Sequence, residues 1–179
     1  MKDVIRVFIL DDHQAIIDGY LFRLANTPDI EVVETLNYAE NLEAELDEHE
    51  TDVLILDVQV PINAENSTPY PILYIIPRLI DKYPDMSILV ISMHDQRTMV
   101  RTIMEAGANG YILKDDRAAM VELPTIIRLL HNGGFYISQK VSKLLRENPD
   151  DKKSTLTPRQ IEVLAYCASY PEASTLQIS

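Results

Sequence analysis

The chain has 179 residues, 46% hydrophobic and 25% charged, with a formal net charge of −12 at pH 7. That length suits one domain with a sizeable core plus a smaller appendage, and the composition excludes a disordered or membrane-embedded chain. The acidic balance argues against nonspecific nucleic-acid binding by this stretch, because affinity for a phosphate backbone rests on clustered Lys and Arg.

The first apolar stretch, Val4–Leu10, is interrupted by Arg6 and runs straight into Asp11 and Asp12, which disqualifies it as a signal peptide. No run approaches the roughly 20 apolar residues of a membrane span, so a cytoplasmic location is expected by default. The single cysteine, Cys167, excludes an intrachain disulfide and a cysteine-based zinc site.

Short β-branched runs alternate with longer stretches of helical apolar spacing. Val4–Leu10, Ile30–Leu36, Val53–Leu56, Ser87–Ser92 and Gly110–Leu113 read as strands. Between the first two, Ile16, Ile17, Tyr20, Leu21 and Leu24 recur at helical spacing until Asn26-Thr-Pro-Asp29 breaks it. Asn41–Glu50 predicts a short acidic surface helix with Leu42 and Leu46 on one stripe. Ile72–Tyr83 predicts a third helix, and Pro77 within it predicts a kink or a late start. Gln96–Ala106 predicts a fourth, closed by Gly107, and Ala118–Asn132 a fifth. Five βα units predict an α/β fold, a doubly wound parallel sheet of five strands with helices on both faces. Composition shifts at Gly133-Gly134; Gln139–Glu147 predicts a short helix, Asn148–Thr155 a polar linker, and Thr157-Pro158 the start of another helix.

Two runs, Val7–Leu10 and Val53–Leu56, are apolar throughout and end in acids: Asp11 and Asp12 after the first, Asp57 after the second. Fully apolar runs suit strands buried on both faces, so these carboxylates emerge together on one edge of a parallel sheet, where open α/β sheets bind ligands. Three converging carboxylates repel one another unless a cation intervenes, which points to a hard divalent ion such as Mg²⁺. Ser92 and Lys114 end two further strands at the same edge. Each group has a task if the reaction is phosphoryl transfer to a carboxylate. Asp57 is then the nucleophile; Asp11, Asp12, Asp57 and a backbone carbonyl near Gln59 hold Mg²⁺; Lys114 pairs with Asp57 and later with a phosphoryl oxygen; Ser92 donates to another.

These residues and spacings, with Pro61 four residues after Asp57 and Tyr111-Ile-Leu-Lys114, resemble the CheY-like, flavodoxin-like receiver domain of two-component response regulators over Val4–Asn132. The resemblance implies that Asp57 accepts a phosphoryl group from a histidine kinase and that Ser92 and Tyr111 move together as a switch, Tyr111 turning inward when Ser92 is drawn toward phosphate. It implies no turnover beyond loss of that phosphoryl group, and a homodimer favoured by phosphorylation.

Asp11-Asp-His13, Gly107-Ala-Asn-Gly-Tyr111, Gly133-Gly-Phe-Tyr-Ile137 and Leu156-Thr-Pro-Arg-Gln-Ile-Glu-Val-Leu164 are similar to LuxR/NarL-type transcriptional regulators, in which a four-helix helix-turn-helix domain follows the receiver. The expected division is a receiver over 1–133, a linker with a short helix over 134–155, and the start of an all-α helix-turn-helix domain over 156–179. Leu156–Ala168 matches that domain's first helix and Leu176–Ser179 the start of its second. Bases are read by a recognition helix in the major groove, so DNA binding is expected only from a complete helix-turn-helix, and a fragment of a longer regulator is favoured over a naturally short form.

Plainer readings stand beside these. Asp11 or Asp12 alone serves equally well as a helix cap, Lys114 alone as a surface charge, Ser92 alone as a cap, Tyr111 alone as core, and His13 and His94 as rim residues. The loop Pro61–Pro71, long and without glycine, either alters kinase docking and phosphate lifetime or is harmless surface. Two other functions compete: a protein-interaction receiver module that works without phosphorylation, docking through that loop, and a Mg²⁺-dependent phosphohydrolase of the haloacid dehalogenase type. The latter wants a second acid two residues after the nucleophile, and Gln59 stands there.

Overall fold

The computed structural model describes residues 4–146. Along the chain it forms β1 (Ile5–Leu10), α1 (Gln14–Leu24), β2 (Ile30–Leu36), α2 (Leu42–Glu48), β3 (Val53–Leu56), α3 (Ile72–Lys82) and β4 (Ser87–Ser92). There follow α4 (Arg97–Glu105), β5 (Gly110–Leu113), α5 (Arg117–Val121), α6 (Leu123–His131), β6 (Tyr136–Ile137) and α7 (Gln139–Arg146). The strands join in the order β2-β1-β3-β4-β5-β6, and every pairing is parallel.

The apolar runs make this sheet because burial on both faces removes any need for polar alternation: all residues of β3, β4 and β5 are buried. One face packs Phe8, Leu54, Leu56, Ile88 and Val90 against α2, α3 and α4; the other packs Val7, Ile9, Ile55, Leu89 and Ile91 against α1 and α6. Strand order reverses between β1 and β3, and at such a switch point the connections leave in opposite directions and open a crevice beyond the strands' C-terminal ends.

The sheet has six strands where five were expected. After α6, the turn at Gly133 (φ +74°) sends the chain back so that Gly110 pairs with Tyr136 and Tyr111 with Ile137. Two residues are too few to carry a periodic signal, and the strand exists because β5 offers it an edge. Thus 134–146 packs on the same sheet, with Val141 buried on the face that holds α4.

Two helices differ from expectation. The fifth divides at Glu122 into α5 and α6, where Pro124 enters the first turn of α6 and suits a helix start rather than an interior. By contrast α3 begins at Ile72, without the late start, and stays helical through Pro77. Pro77 lies on its exposed face, where a carbonyl left without its helical donor can be served by water. Gly107 ends α4 at φ +107°, and a Cβ there would stand 2.6 Å from Ile80 Cδ1.

The loop Pro61–Pro71 is folded on itself. Pro61 and Pro69 form an antiparallel bridge, the Tyr70 N–H donates to the Val60 carbonyl at 2.8 Å, and Asn63 Oδ1 accepts from the Glu65 and Asn66 amides. No helix among the described residues is long and apolar enough to cross a membrane. Cys167, the polar linker Asn148–Thr155 and the helix-turn-helix segment 156–179 lie outside the described residues.

Candidate functional site

At the switch point, the sheet ladder itself sets the height of the two central acids. The Asp11 N–H donates to the Leu36 carbonyl at 3.0 Å and the Asp57 N–H to the Leu10 carbonyl at 2.9 Å, so each residue leaves its strand in register with its neighbour. Lys114 follows β5 in the same way, its N–H donating to the Ser92 carbonyl at 2.8 Å. Four strand ends thereby bring Asp11, Asp57, Ser92 and Lys114 to one edge.

Both central carboxylates are buried, Asp11 1% and Asp57 5% exposed, and they share one cation. Lys114 Nζ lies 2.8 Å from Asp11 Oδ2 and 2.8 Å from Asp57 Oδ2. Sequence reasoning paired Lys114 with Asp57; the structure adds Asp11. Asp57 Oδ1 also accepts from the Val58 N–H at 2.6 Å, and Asp11 Oδ1 from the His13 N–H at 3.0 Å. Asp12 is half-buried and pairs with His13 Nδ1 at 2.6 Å, a partnership that the rim reading of His13 missed although the two are adjacent in sequence.

Burial and charge do not balance here. Burial pushes the Asp11 carboxyl above the usual carboxylate range, and the hydrogen bond from Lys114 does not fully reverse it. Burial alone would lower Lys114, yet its bonds to Asp11 and Asp57 outweigh that and hold it raised. Tyr20 is buried on α1, and burial first, then the charges of Asp11 and Asp57, raise its phenol. Asp11, Asp12, His13 and Asp57 each offer a ligand atom within 4.8 Å of the others'. Three carboxylates against one ammonium are an oxygen-rich donor set that suits a hard divalent cation. Gln59 is exposed, two residues past Asp57, and would join that set only through its main-chain carbonyl.

Ser92 is fully buried, and its Oγ accepts from the His94 N–H at 3.1 Å. Tyr111 is also fully buried, its hydroxyl donating to the His94 carbonyl at 2.8 Å. Burial pushes the Tyr111 phenol up to about 12, against the opposing pull of Ser92. The segment Ser92–His94 therefore carries contacts from both hydroxyls.

The description "Response regulator receiver domain" fits residues 7–125. The transcriptional regulatory protein DegU of Brevibacillus brevis is 33% identical over 162 residues, a match covering 86% of this chain and 64% of DegU. The oxygen regulatory protein NreC of Staphylococcus carnosus is 29% identical over 176 residues, 91% of this chain and 76% of NreC. The isolated REC domain of RcsB from Salmonella enterica serovar Typhimurium, solved with the phosphomimetic BeF3−, superposes at a TM-score of 0.70 with 24% identity, covering 80% of this chain and all of that one. A receiver-family match over most of the chain, a relative named as a transcriptional regulatory protein and a parallel α/β sheet with acids at its switch point agree: this chain belongs to the response regulator receiver domain family, with relatives of the LuxR/NarL type.

Proposed function

We propose that Asp57 is the phosphoacceptor of a response regulator that controls transcription. A carboxylate oxygen of Asp57 attacks the phosphorus of a phosphohistidine on a sensor histidine kinase; the P–N bond breaks, the imidazole leaves with its electron pair and takes up a proton, and an aspartyl phosphate remains. The observation that carries the reading is the buried Asp57 carboxylate within 2.8 Å of Lys114 Nζ, in a cluster with Asp11 and Asp12. Mg²⁺ held by Asp11, Asp12, Asp57 and the Gln59 carbonyl would neutralise charge between nucleophile and phosphoryl oxygens. Lys114, bonded to both acids, keeps the nucleophile oriented and turns a donor to a phosphoryl oxygen once the acyl phosphate forms.

Ser92 Oγ donates to a second phosphoryl oxygen. Its present link to the His94 N–H means that this movement pulls on the same segment that anchors the Tyr111 hydroxyl. Phosphate thus favours one of two arrangements of Ser92, His94 and Tyr111, a population shift rather than a push. The favoured state assembles a homodimer, through the α4 and α5–α6 faces or the α1 and α5–α6 faces, and acts in the cytoplasm on DNA through a complete helix-turn-helix. The receiver extends to Arg146 on this reading, because β6 and α7 pack on the same sheet.

Intact mass after incubation with acetyl phosphate and Mg²⁺ tests it, with Asp57→Ala as control and size exclusion on the same samples. One added phosphoryl group, absent in the variant and in chelator, is expected. No gain from acetyl phosphate or from a cognate kinase overturns the reading and favours an interaction module that works without phosphate.

A further inference from the structure

On the α1 side of the sheet, the core holds a hydroxyl that no described residue satisfies. Tyr20 is 3% exposed and lies in the apolar layer that packs α1 on the strands, and its Oη has no hydrogen-bond partner there. The other buried positions of α1, Ile17 and Leu24, are aliphatic. Buried tyrosine hydroxyls ordinarily find a partner. A phenylalanine would fill the same space without stranding a polar atom, so packing does not account for this one.

The helix aims that hydroxyl at the acidic strand ends. α1 starts at Gln14, two residues after Asp12, so its N-terminus stands at the edge where the carboxylates emerge. Side chains on a helix lean toward its N-terminus, and long ones keep that direction. Tyr20 comes six residues later, a rise of about 9 Å, and its ring leans back along that rise toward Asp11. The charges of Asp11 and Asp57 both reach the phenol, and with burial they keep it protonated. A protonated hydroxyl facing two carboxylates is placed to donate.

Asp11 has room for that donor. Its Oδ1 accepts from the His13 N–H and its Oδ2 lies against Lys114, while each carboxylate oxygen offers about two acceptor sites. No direct bond joins Tyr20 to either acid. A bridging water needs about two to four polar partners, and Tyr20, Asp11 and Asp57 supply them.

We propose that Tyr20 is a positioning residue of the phosphoacceptor site: its hydroxyl donates through one bridging water to Asp11 and holds that carboxylate in the orientation a divalent cation requires. The inference rests on the reading of Asp57 as phosphoacceptor and adds to the strand ends a group supplied by α1. Groups that orient a metal ligand from behind are worth about 10–100-fold in affinity.

The test titrates Mn²⁺ into the full chain and follows the free ion by electron paramagnetic resonance, in the parent, Tyr20→Phe and Ser142→Ala. Asp12→Asn identifies the binding that belongs to the strand-end acids. Ser142 is the control, a buried hydroxyl on α7 that also lacks a partner. Tyr20→Phe is expected to weaken Mn²⁺ binding about tenfold or more at an unchanged or raised urea midpoint, with Ser142→Ala binding as the parent does. Phosphorylation by acetyl phosphate should need about tenfold more Mg²⁺ for half its maximal rate in Tyr20→Phe, yet reach the parent's rate at saturation. Equal Mn²⁺ affinity in the parent and Tyr20→Phe overturns the inference and leaves the proposed function standing. So does a loss shared by Ser142→Ala, a loss matched by a lowered urea midpoint, or a saturating rate that falls while the Mg²⁺ requirement stays. A parent that binds no Mn²⁺ at these acids, or takes no phosphoryl group, overturns both.

Discussion

The two ends of the sheet carry similar charges to opposite effect. At the N-terminal ends of the strands, Arg6 meets Asp52 through Nε at 3.0 Å and a second nitrogen at 2.8 Å, and Arg128 meets Asp29 at 2.6 and 2.8 Å. Asp52 and Asp29 are each held by a bidentate arginine, the geometry in which a guanidinium and a carboxylate satisfy one another, and Arg6 turns its remaining nitrogen to the exposed Glu50. Burial pulls Asp52 upward, yet the Arg6 hydrogen bonds outweigh it and hold the carboxyl below its usual range. At the C-terminal ends two more deeply buried acids divide one lysine, burial wins, and Asp11 is raised. A matched pair is finished structure; an unmatched group keeps capacity for a further partner, and on the proposed function that partner is a cation or a phosphoryl oxygen.

That contrast is sharpest in the removal of the cations. Lys114→Met leaves two buried carboxylates uncompensated and should cost about 3–5 kcal/mol in urea unfolding at neutral pH without divalent ions. Mg²⁺ should restore part of the loss. A cost under about 1 kcal/mol would mean that water already serves these acids. Asp11→Asn tests the same end in the other direction: removing a carboxylate that the fold holds against its ionised form should raise the thermal midpoint by a few degrees while abolishing phosphorylation. A lowered midpoint would show that Asp11 is matched after all. At the other end, Arg128→Met should cost only about 0.5–1 kcal/mol, less in high salt, because this pair is partly exposed.

The two ends also separate by pH. Asp11, raised in the folded state, binds its proton more readily there than in the unfolded chain. Its contribution is full below the ordinary value of 3.8 and is lost as pH rises through the folded value, so acidification from neutrality strengthens this end. Asp52, lowered, contributes above 3.8 and loses that contribution as pH falls through its folded value. Stability measured against pH in the parent, Asp11→Asn and Asp52→Asn chains should lose the first arm in one variant and the second arm in the other. Identical profiles would break the comparison.

The apolar runs before Asp11 and Asp57 determined by themselves the central strands, their burial on both faces and the shared edge of Asp11, Asp57, Ser92 and Lys114, because hydrophobic periodicity is local and a parallel sheet aligns strand ends. Other features were decided only in three dimensions. The strand at Tyr136–Ile137 depends on the edge β5 leaves open, and the continuity of α3 through Pro77 depends on which side of that helix faces water. The sharing of Lys114 by two acids, rather than its pairing with Asp57 alone, depends on distances between strands that are far apart in sequence. The turn of Glu34 toward His49 follows from one residue inserted in the register of β2. Residue type and spacing record what each segment can do alone; pairing, register and the division of charge arise only when segments distant in sequence meet, where the outcome depends on the neighbour as much as on the residue.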